Sequence, residues 1–171
     1  MLAPFRRDKD LGSMYEAVSI AGLDGIVFAS SDPARPGTNL ADRAYIQKAL
    51  AGEKNVGAAV ISKVWGNPVT PIAASVRSDK LILSINFLDE LVTGERVGSH
   101  GYVFVSDKAD LVIADPKKEK ILEQKLLETP GREELGIKMA AGENGKASFM
   151  YQRVPFTARF ATVQSTGWKV A

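Results

Sequence analysis

The sequence predicts an α+β fold of two tandem modules, each an antiparallel sheet of about five strands with flanking helices. Three observations carry that expectation. "AVSIAGLDGIVFAS" (17–30) and "YVFVSDKADLVIAD" (102–115) share one pattern of apolar strand, short polar turn and second apolar strand, with Gly25 falling opposite Asp110. "AGE" at 51–53 recurs at 141–143, each time closing a helical segment ahead of strand-like runs, as a glycine at a helix C-terminus does. The offset is about half of the 171 residues, which suits two copies of one unit rather than a solenoid of shorter period.

In the first copy, strands are expected at about 14–21 and 25–30. The Pro- and Gly-rich connection "SSDPARPGTNL" follows, then a helix over 41–51. "VGAAVISKV" (56–64) and "PVTPIAASVR" (68–77) read as strands joined by the turn "WGN", and "KLILSINF" (80–87) as a third after "SD". Hairpin-length links make these three antiparallel neighbours, while the long connection carries the helix across one face. That order is the layout of a PAS-like fold. The second copy begins at Gly101, with two strands, helical stretches over 117–128 and about 132–141, and strands at about 145–151, 156–164 and 167–171. In "KKEKILEQKLLE" the residues Ile121, Leu122, Leu126 and Leu127 form an apolar stripe opposite a solvated face. Residues 88–100 are the expected connector, partly helical through Leu88, Leu91 and Val92, and residues 1–13 read as the stub of an element that begins outside the chain.

Composition excludes several functions. With 45% apolar residues the chain can bury a real core, and 22 basic residues interspersed with 20 acidic ones leave a net charge of only +2 and no stripe for nucleic acid. There is no cysteine and one histidine, His100, which removes disulfides, zinc sites and Cys or Ser-His catalysis in their usual forms. No cofactor is expected, and metal chemistry would rest on carboxylates alone. The longest apolar runs, such as "GIVFA" and "GAAVI", fall far short of the roughly 20 residues that span a bilayer, and no signal peptide is expected.

"TNLADRAYIQKALAGE" (38–53) sets a permanent cation, Arg43, at the start of a helix whose end already carries partial positive charge. One reading makes this a receptor for an anion such as a carboxylate. The other lets Asp42, or Asn39 with Asp42, cap the helix while Arg43 points into water; local sequence favours this capping reading.

Taken together, "LDGIVFASS", "GTNLADRAYIQKALAGE", "VISKVWGNPVTPIAASVR", "GYVFVSDKADLVIADPKKEKIL" and "TGWKV" resemble the double Cache family, the tandem PAS-like extracytoplasmic sensor domains of bacterial chemoreceptors and sensor kinases. The resemblance implies a membrane-distal ligand-binding module over 14–87, a connector over 88–100 and a membrane-proximal module over 101–171. It also implies that 1–13 end a truncated N-terminal helix, that the full-length receptor is membrane-embedded and homodimeric, and that the fragment is soluble, as a monomer or weak dimer.

In that family the pocket lies in the distal module. Arg43 matches the arginine that clamps a ligand carboxylate, through a fork that lysine cannot imitate, and Tyr45 matches an enclosing aromatic residue. Residues two apart on a regular helix point to different sides, so both reach one pocket only if this turn is irregular. The amino-acid-binding relatives hold the ligand ammonium with a tyrosine and aspartate on the third strand and an aspartate on the fifth; here Val60 and Ser62 stand at the first two positions and Asn86 at the last. Ile46 replaces a second aromatic residue, and Thr38 a tyrosine ahead of the arginine. The ammonium half of the site is missing, so an organic acid or compact polar ligand is expected in preference to an amino acid. Thr38, Ser30, Ser62, Ser75 and Asn86 supply neutral hydrogen-bonding groups around Arg43. On strands, serines more often face solvent or bond backbone, and the face shared by Ile82, Ser84 and Asn86 could equally be the wet side of the sheet. Trp65 reads as a lid or surface aromatic, Tyr15, Tyr102, Phe104 and Trp168 as core, and Asp110 and Asp115 as turn residues.

The function that follows is a non-enzymatic sensor domain of a transmembrane receptor, of methyl-accepting chemotaxis type or else of a histidine kinase or diguanylate cyclase. Its competitors are a ligand-free dimerisation module, favoured by Val60 and Ile46, and a small-molecule hydrolase, for which no catalytic motif speaks.

Overall fold

The computed structural model describes residues 15–76, 82–87, 92 and 96–171, with the strand 82–87 seen through its backbone pairing. The chain divides into two compact units, Met1–Glu90 and Leu91–Ala171. The expected N-terminal stub, and Leu88 and Leu91 of the expected connector, lie outside the described residues.

The first unit is an antiparallel sheet of β1 (Tyr15–Ala21), β2 (Val27–Ser30), β3 (Asn55–Val56), β4 (Val60–Ile61), β5 (Pro68–Ser75) and β6 (Ile82–Phe87), with one helix, α1 (Ala44–Leu50). The sheet runs β2-β1-β6-β5-β3, with β4 also paired to β5. The chain between β2 and α1 is tied back to the sheet at its entry. Val27 N–H donates to the Thr38 carbonyl at 3.0 Å, Gly37 N–H to Val27 at 2.7 Å and Leu40 N–H to Gly25 at 2.9 Å. Gly25 has φ +74°, and a Cβ there would stand 2.6 Å from the Ala41 Cα, so only glycine fits this crossing. α1 buries Tyr45, Ile46 and Ala49 against Ala21, Val27, Leu40 and Ala73. Its large side chains, Tyr45 and Ile46, contribute roughly 1.5 to 3 kcal/mol each, far more than the intrinsic propensity of a seven-residue helix can.

The expected strand over 56–64 is a correction. It is two short pieces, β3 and β4, separated at 57–59 and followed by a turn through 62–67. The break sits where β5 carries Pro71: Gly57 N–H donates to the Pro71 carbonyl at 2.7 Å, but proline has no N–H to return, so the ladder loses a bond there. Gly57 itself is pressed between Tyr45 and Pro71, whose nearest atoms would lie 2.8 and 2.9 Å from an added Cβ. The expected strand over 68–77 is ordered as β5 to Ser75.

The second unit holds β7 (Arg96–Val97) paired with β8 (Gly101–Tyr102), and a sheet of β9 (Val105–Ser106), β10 (Val112–Ala114), β11 (Gly145–Tyr151), β12 (Val154–Val163) and β13 (Trp168–Val170) in the order β10-β9-β13-β12-β11. Counted from its own first strand, with β3 and β4 taken as one interrupted strand of the first unit, each main sheet reads second, first, fifth, fourth, third. The helix α2 (Glu133–Ala140) buries Leu135 and Met139 with Phe104, Val112, Leu126, Ala147 and Phe160.

The expected helix over 117–128 is not formed. A single 3₁₀ turn covers Lys118–Lys120, Leu122 takes φ +63°, and the chain then runs beside β10: Leu122 N–H donates to Val112 at 2.8 Å and Val112 N–H to Gln124 at 2.8 Å. Asp110 adds a side-chain acceptor for Leu127 N–H at 2.6 Å. These tertiary bonds satisfy the backbone that a helix would have paired internally, and they bury Ile121 and Leu126 while leaving Leu127 exposed.

Candidate functional site

The segments that flank α1 and β4 line a small, partly open hollow in the first unit, whose roughly 270 Å³ of empty space includes open solvent. Leu40, Val60 and Val69 form apolar walls, Thr38, Tyr45 and Ser62 bring hydroxyl groups, and Arg35, Arg43 and Lys63 bring positive charge. Among the described residues, no aspartate or glutamate lines it.

The three cations are not equivalent. Arg35 is buried and paired with Glu16, and its Nε lies 3.5 Å from Asp32. Lys63 donates to Asp42 at 2.6 Å and to the Asn39 carbonyl at 3.0 Å. Arg43 makes no ion pair among the described residues, although its charge contributes to holding the neighbouring Asp42 low; its Nη2 donates to the Ile61 carbonyl at 3.2 Å. A guanidinium that is half-buried, held only by a neutral carbonyl and facing a hollow is the group an anion would seek.

Local backbone explains how Arg43 and Tyr45 reach the same space. Arg43 is not in the helix: as the residue before it, with φ −82° and ψ 126°, it is extended, and no side chain caps the first turn. The capping reading is thereby corrected. Asn39 accepts from Ala41 N–H at 2.9 Å in a local turn, and Asp42 is engaged by Lys63. The change of backbone between Arg43 and Ala44 turns side chains two apart toward one wall. Ile46 turns away into the core, fully buried.

Of the residues singled out from the sequence, Thr38, Arg43, Tyr45 and Ser62 come together at the hollow. Ser62 is buried and its Oγ accepts from Val64 and Trp65 N–H at 3.4 and 3.3 Å, holding the 62–67 turn. Ser30 is not among the lining residues; it bonds Ser19 Oγ at 2.9 Å and accepts from Asp32 N–H at 3.1 Å. Ser75, at the end of β5, is likewise not a lining residue. Asn86 pairs through its backbone with Pro71 and Ala17, and its side chain lies outside the described part. Sequence reasoning missed Arg35 and Lys63. Both sit in Pro- or Gly-containing connections, where nothing local says that the chain folds back on itself.

The turn above the hollow is fastened to the 32–43 connection by more than one contact. Trp65 Nε1–H donates to Asp32 at 2.8 Å, beside the Lys63 and Arg43 bonds already described. Burial pushes the Asp32 carboxyl up, but the Ala34 N–H, the Trp65 indole and Arg35 together bring it below the ordinary aspartate value. The bond from Lys63 holds Asp42 low as well. Both are therefore ionised partners at neutral pH. Among the described residues, no three His, Asp or Glu converge as metal ligands, and no helix is long and apolar enough to cross a membrane.

The family model described as the Cache domain matches residues 2–171, and the chain belongs to that family. Several solved structures share the fold. The ligand binding domain of Mlp24 with asparagine is 17% identical, with a TM-score of 0.60, covering 91% of this chain and 66% of that one. The ligand binding domain of the Pseudomonas aeruginosa PAO1 amino acid chemoreceptor PctB in complex with L-Arg is 13% identical with a TM-score of 0.70, covering 96% and 73%. An extracellular domain assigned to a histidine kinase, rpHK1S-Z16, is 13% identical with a TM-score of 0.73, covering 94% and 70%. The chain thus spans about two thirds to three quarters of the length of these structures. No curated protein matches it.

Proposed function

We propose that the chain is the extracytoplasmic sensor region of a bacterial transmembrane signalling receptor, of the methyl-accepting chemotaxis type, and that it binds a small carboxylate at the Arg43 hollow. In this reading residues 14–87 are a membrane-distal PAS-like module that holds the ligand, 88–100 a connector and 101–171 a membrane-proximal PAS-like module. The domain is not an enzyme, and its full-length receptor is a membrane-embedded homodimer.

The observation that carries the reading is the charge balance of the hollow among the described residues: one guanidinium without an ion-pair partner, hydroxyl-bearing residues around it and no carboxylate in its lining. A ligand carboxylate completes that balance through charge-assisted bonds. An α-ammonium finds no anion to meet it. Asn86 of β6 is a further proposed ligand contact. The Mlp24 and PctB domains hold asparagine and L-Arg, and the absence of an acid among the described lining residues speaks against that ligand class for this chain. A histidine kinase or diguanylate cyclase output is the second reading, supported by the likeness to rpHK1S-Z16.

Signalling requires that the ligand bind one arrangement better than another. The bond from Arg43 to Ile61 offers such a difference, because a carboxylate at Arg43 competes with the Ile61 carbonyl that ties β4 to the connection. The test is a thermal-shift and calorimetric comparison of organic acids with amino acids. Saturable binding of amine-free carboxylates that Arg43→Ala abolishes is the expected result. Strong stabilisation by amino acids with no response to carboxylates, or binding indifferent to Arg43→Ala, overturns the reading.

A further inference from the structure

Arg132 stands immediately before α2 and is 2% exposed. Its Nη2 donates to the Tyr102 hydroxyl. The guanidinium carbon lies 4.2 Å from the centre of the Tyr151 ring and 5.4 Å from that of Phe104. Its Nε and Nη1 are sealed from solvent and have no hydrogen-bond partner, and among the described residues no carboxylate pairs with it.

The neighbouring charges do not balance it. Lys120 Nζ lies 5.5 and 5.9 Å from the centres of the Tyr102 and Tyr151 rings, but Lys120 has its own anion, the buried Asp115 carboxylate at 3.4 Å. Glu133 and Glu134 in the first turn of α2 are exposed and turned to other partners, the Gly131 N–H and Lys138. Among the described residues, two cations and one carboxylate therefore share this aromatic cluster, which leaves one positive charge in excess there. Aromatic faces attract a cation, but they supply no acceptor for the in-plane N–H groups of a guanidinium. A buried charge with free donors is normally paired or neutralised.

We propose that Arg132 anchors a second anion-binding site, in the second unit, that takes a small monoanionic carboxylate of formate or acetate size. A single excess charge calls for a monoanion. Rings flanking the cation leave the plane of the guanidinium as the direction of approach, and a flat carboxylate fits that plane better than a spherical or tetrahedral ion. The tight enclosure of both nitrogens restricts the ligand to a few heavy atoms. This site is independent of Arg43.

The experiment uses the 171-residue chain carrying Arg43→Ala, labelled with ¹⁵N, and follows the arginine Nε–H resonances while sodium acetate replaces sodium chloride at fixed ionic strength. The Arg132 resonance is assigned by its loss in Arg132→Lys. Should that variant fail to fold, Tyr151→Leu identifies the same resonance by removing the ring next to it. The expected result is a saturable shift of this resonance with a midpoint in the millimolar range, present without Arg43. No shift, a shift that never saturates, or an equal response to chloride overturns the proposal, as does a shift that appears only when the parent chain, with Arg43 intact, is titrated in parallel.

Discussion

Arg43 and Arg132 occupy the same place in their two units: each is the residue before the helix, and each accepts a first-turn N–H at its carbonyl, from Gln47 at 3.1 Å and from Gly136 at 2.9 Å. Their side chains have opposite surroundings. Arg43 faces a partly open hollow with a neutral carbonyl as its partner, whereas Arg132 is packed among aromatic rings. The same backbone position therefore serves an accessible cation in one unit and an enclosed one in the other.

The accessible cation gives the first expectation. Arg43→Ala removes one side-chain bond to a carbonyl at a half-buried position, so the fold should lose no more than about 1 kcal/mol. The loss of a charge-assisted contact to a bound carboxylate should cost about 1.5 to 3 kcal/mol, or roughly one to two powers of ten in affinity. Arg43→Lys should recover only part of it, because an ammonium lacks the planar fork. Urea unfolding and calorimetry on the same samples separate the two effects; equal losses in both would make Arg43 a structural residue.

Ser62 gives the second. Its hydroxyl accepts from two turn N–H groups, and an aspartate can keep those bonds while adding a negative charge to the lining. Ser62→Asp should weaken amine-free carboxylates and improve amino acids, so that the preference between the two classes moves by at least about tenfold. Competition calorimetry with matched acid and amino-acid pairs reads this directly. An unchanged ratio would mean that charge balance does not set ligand class here.

Legibility in the sequence followed the range of the interactions. The pattern of β1 and β2, and the repeat that sets Gly25 opposite Asp110, were visible because alternating burial and turn chemistry are local. The two positions now prove equivalent in detail: both have positive φ, and their carbonyls accept from Leu40 and Leu126. By contrast, "KKEKILEQKLLE" has helical spacing, and what prevents the helix is a set of bonds to residues 110–112, distant in the sequence. The site divides along the same line. Arg43, Tyr45 and Ser62 are on or next to elements whose place could be read, while Arg35 and Lys63 arrive through folded-back connections that no periodicity encodes.

Gly25 gives the third expectation. Ala at this position must hold φ +74° with its Cβ 2.6 Å from the Ala41 Cα, a backbone atom that cannot rotate away. Positive φ alone costs about 1 to 2 kcal/mol for an L-residue, and the clash adds to it, so Gly25→Ala should lower stability by about 3 kcal/mol or more. Gly37→Ala is the control: its φ is +90° but an added Cβ meets nothing within 4 Å, so it should show the conformational part alone. Urea midpoints of the two variants should differ clearly, and coincident midpoints would remove the close approach to Ala41 as the reason for glycine.

Asp110 gives the fourth, through its titration. It is 4% exposed, and burial pushes its carboxyl above the ordinary value of 3.8 despite opposing contributions from the Leu127 N–H and Lys169. Oδ2 accepts from Leu127 at 2.6 Å while Oδ1 has no partner. With a folded pKa above the unfolded one, the folded state holds the proton more tightly. The cost of ionising Asp110 is therefore absent below 3.8, grows as pH rises from there through the raised folded value, and is fully present at neutral pH. Asp110→Asn removes that cost, keeps an acceptor for Leu127, and suits the φ of +66° at this position, which asparagine adopts readily. It gives up the attraction to Lys169, a smaller contribution than burial. The variant should be more stable than the parent at pH 7. Because other titrating groups cancel in the difference between the two proteins, that advantage should shrink steadily as the pH is lowered toward 3.8. Paired urea unfolding curves across this range measure it, and an advantage that grows toward acid pH would mean that Asp110 is stabilised as the carboxylate.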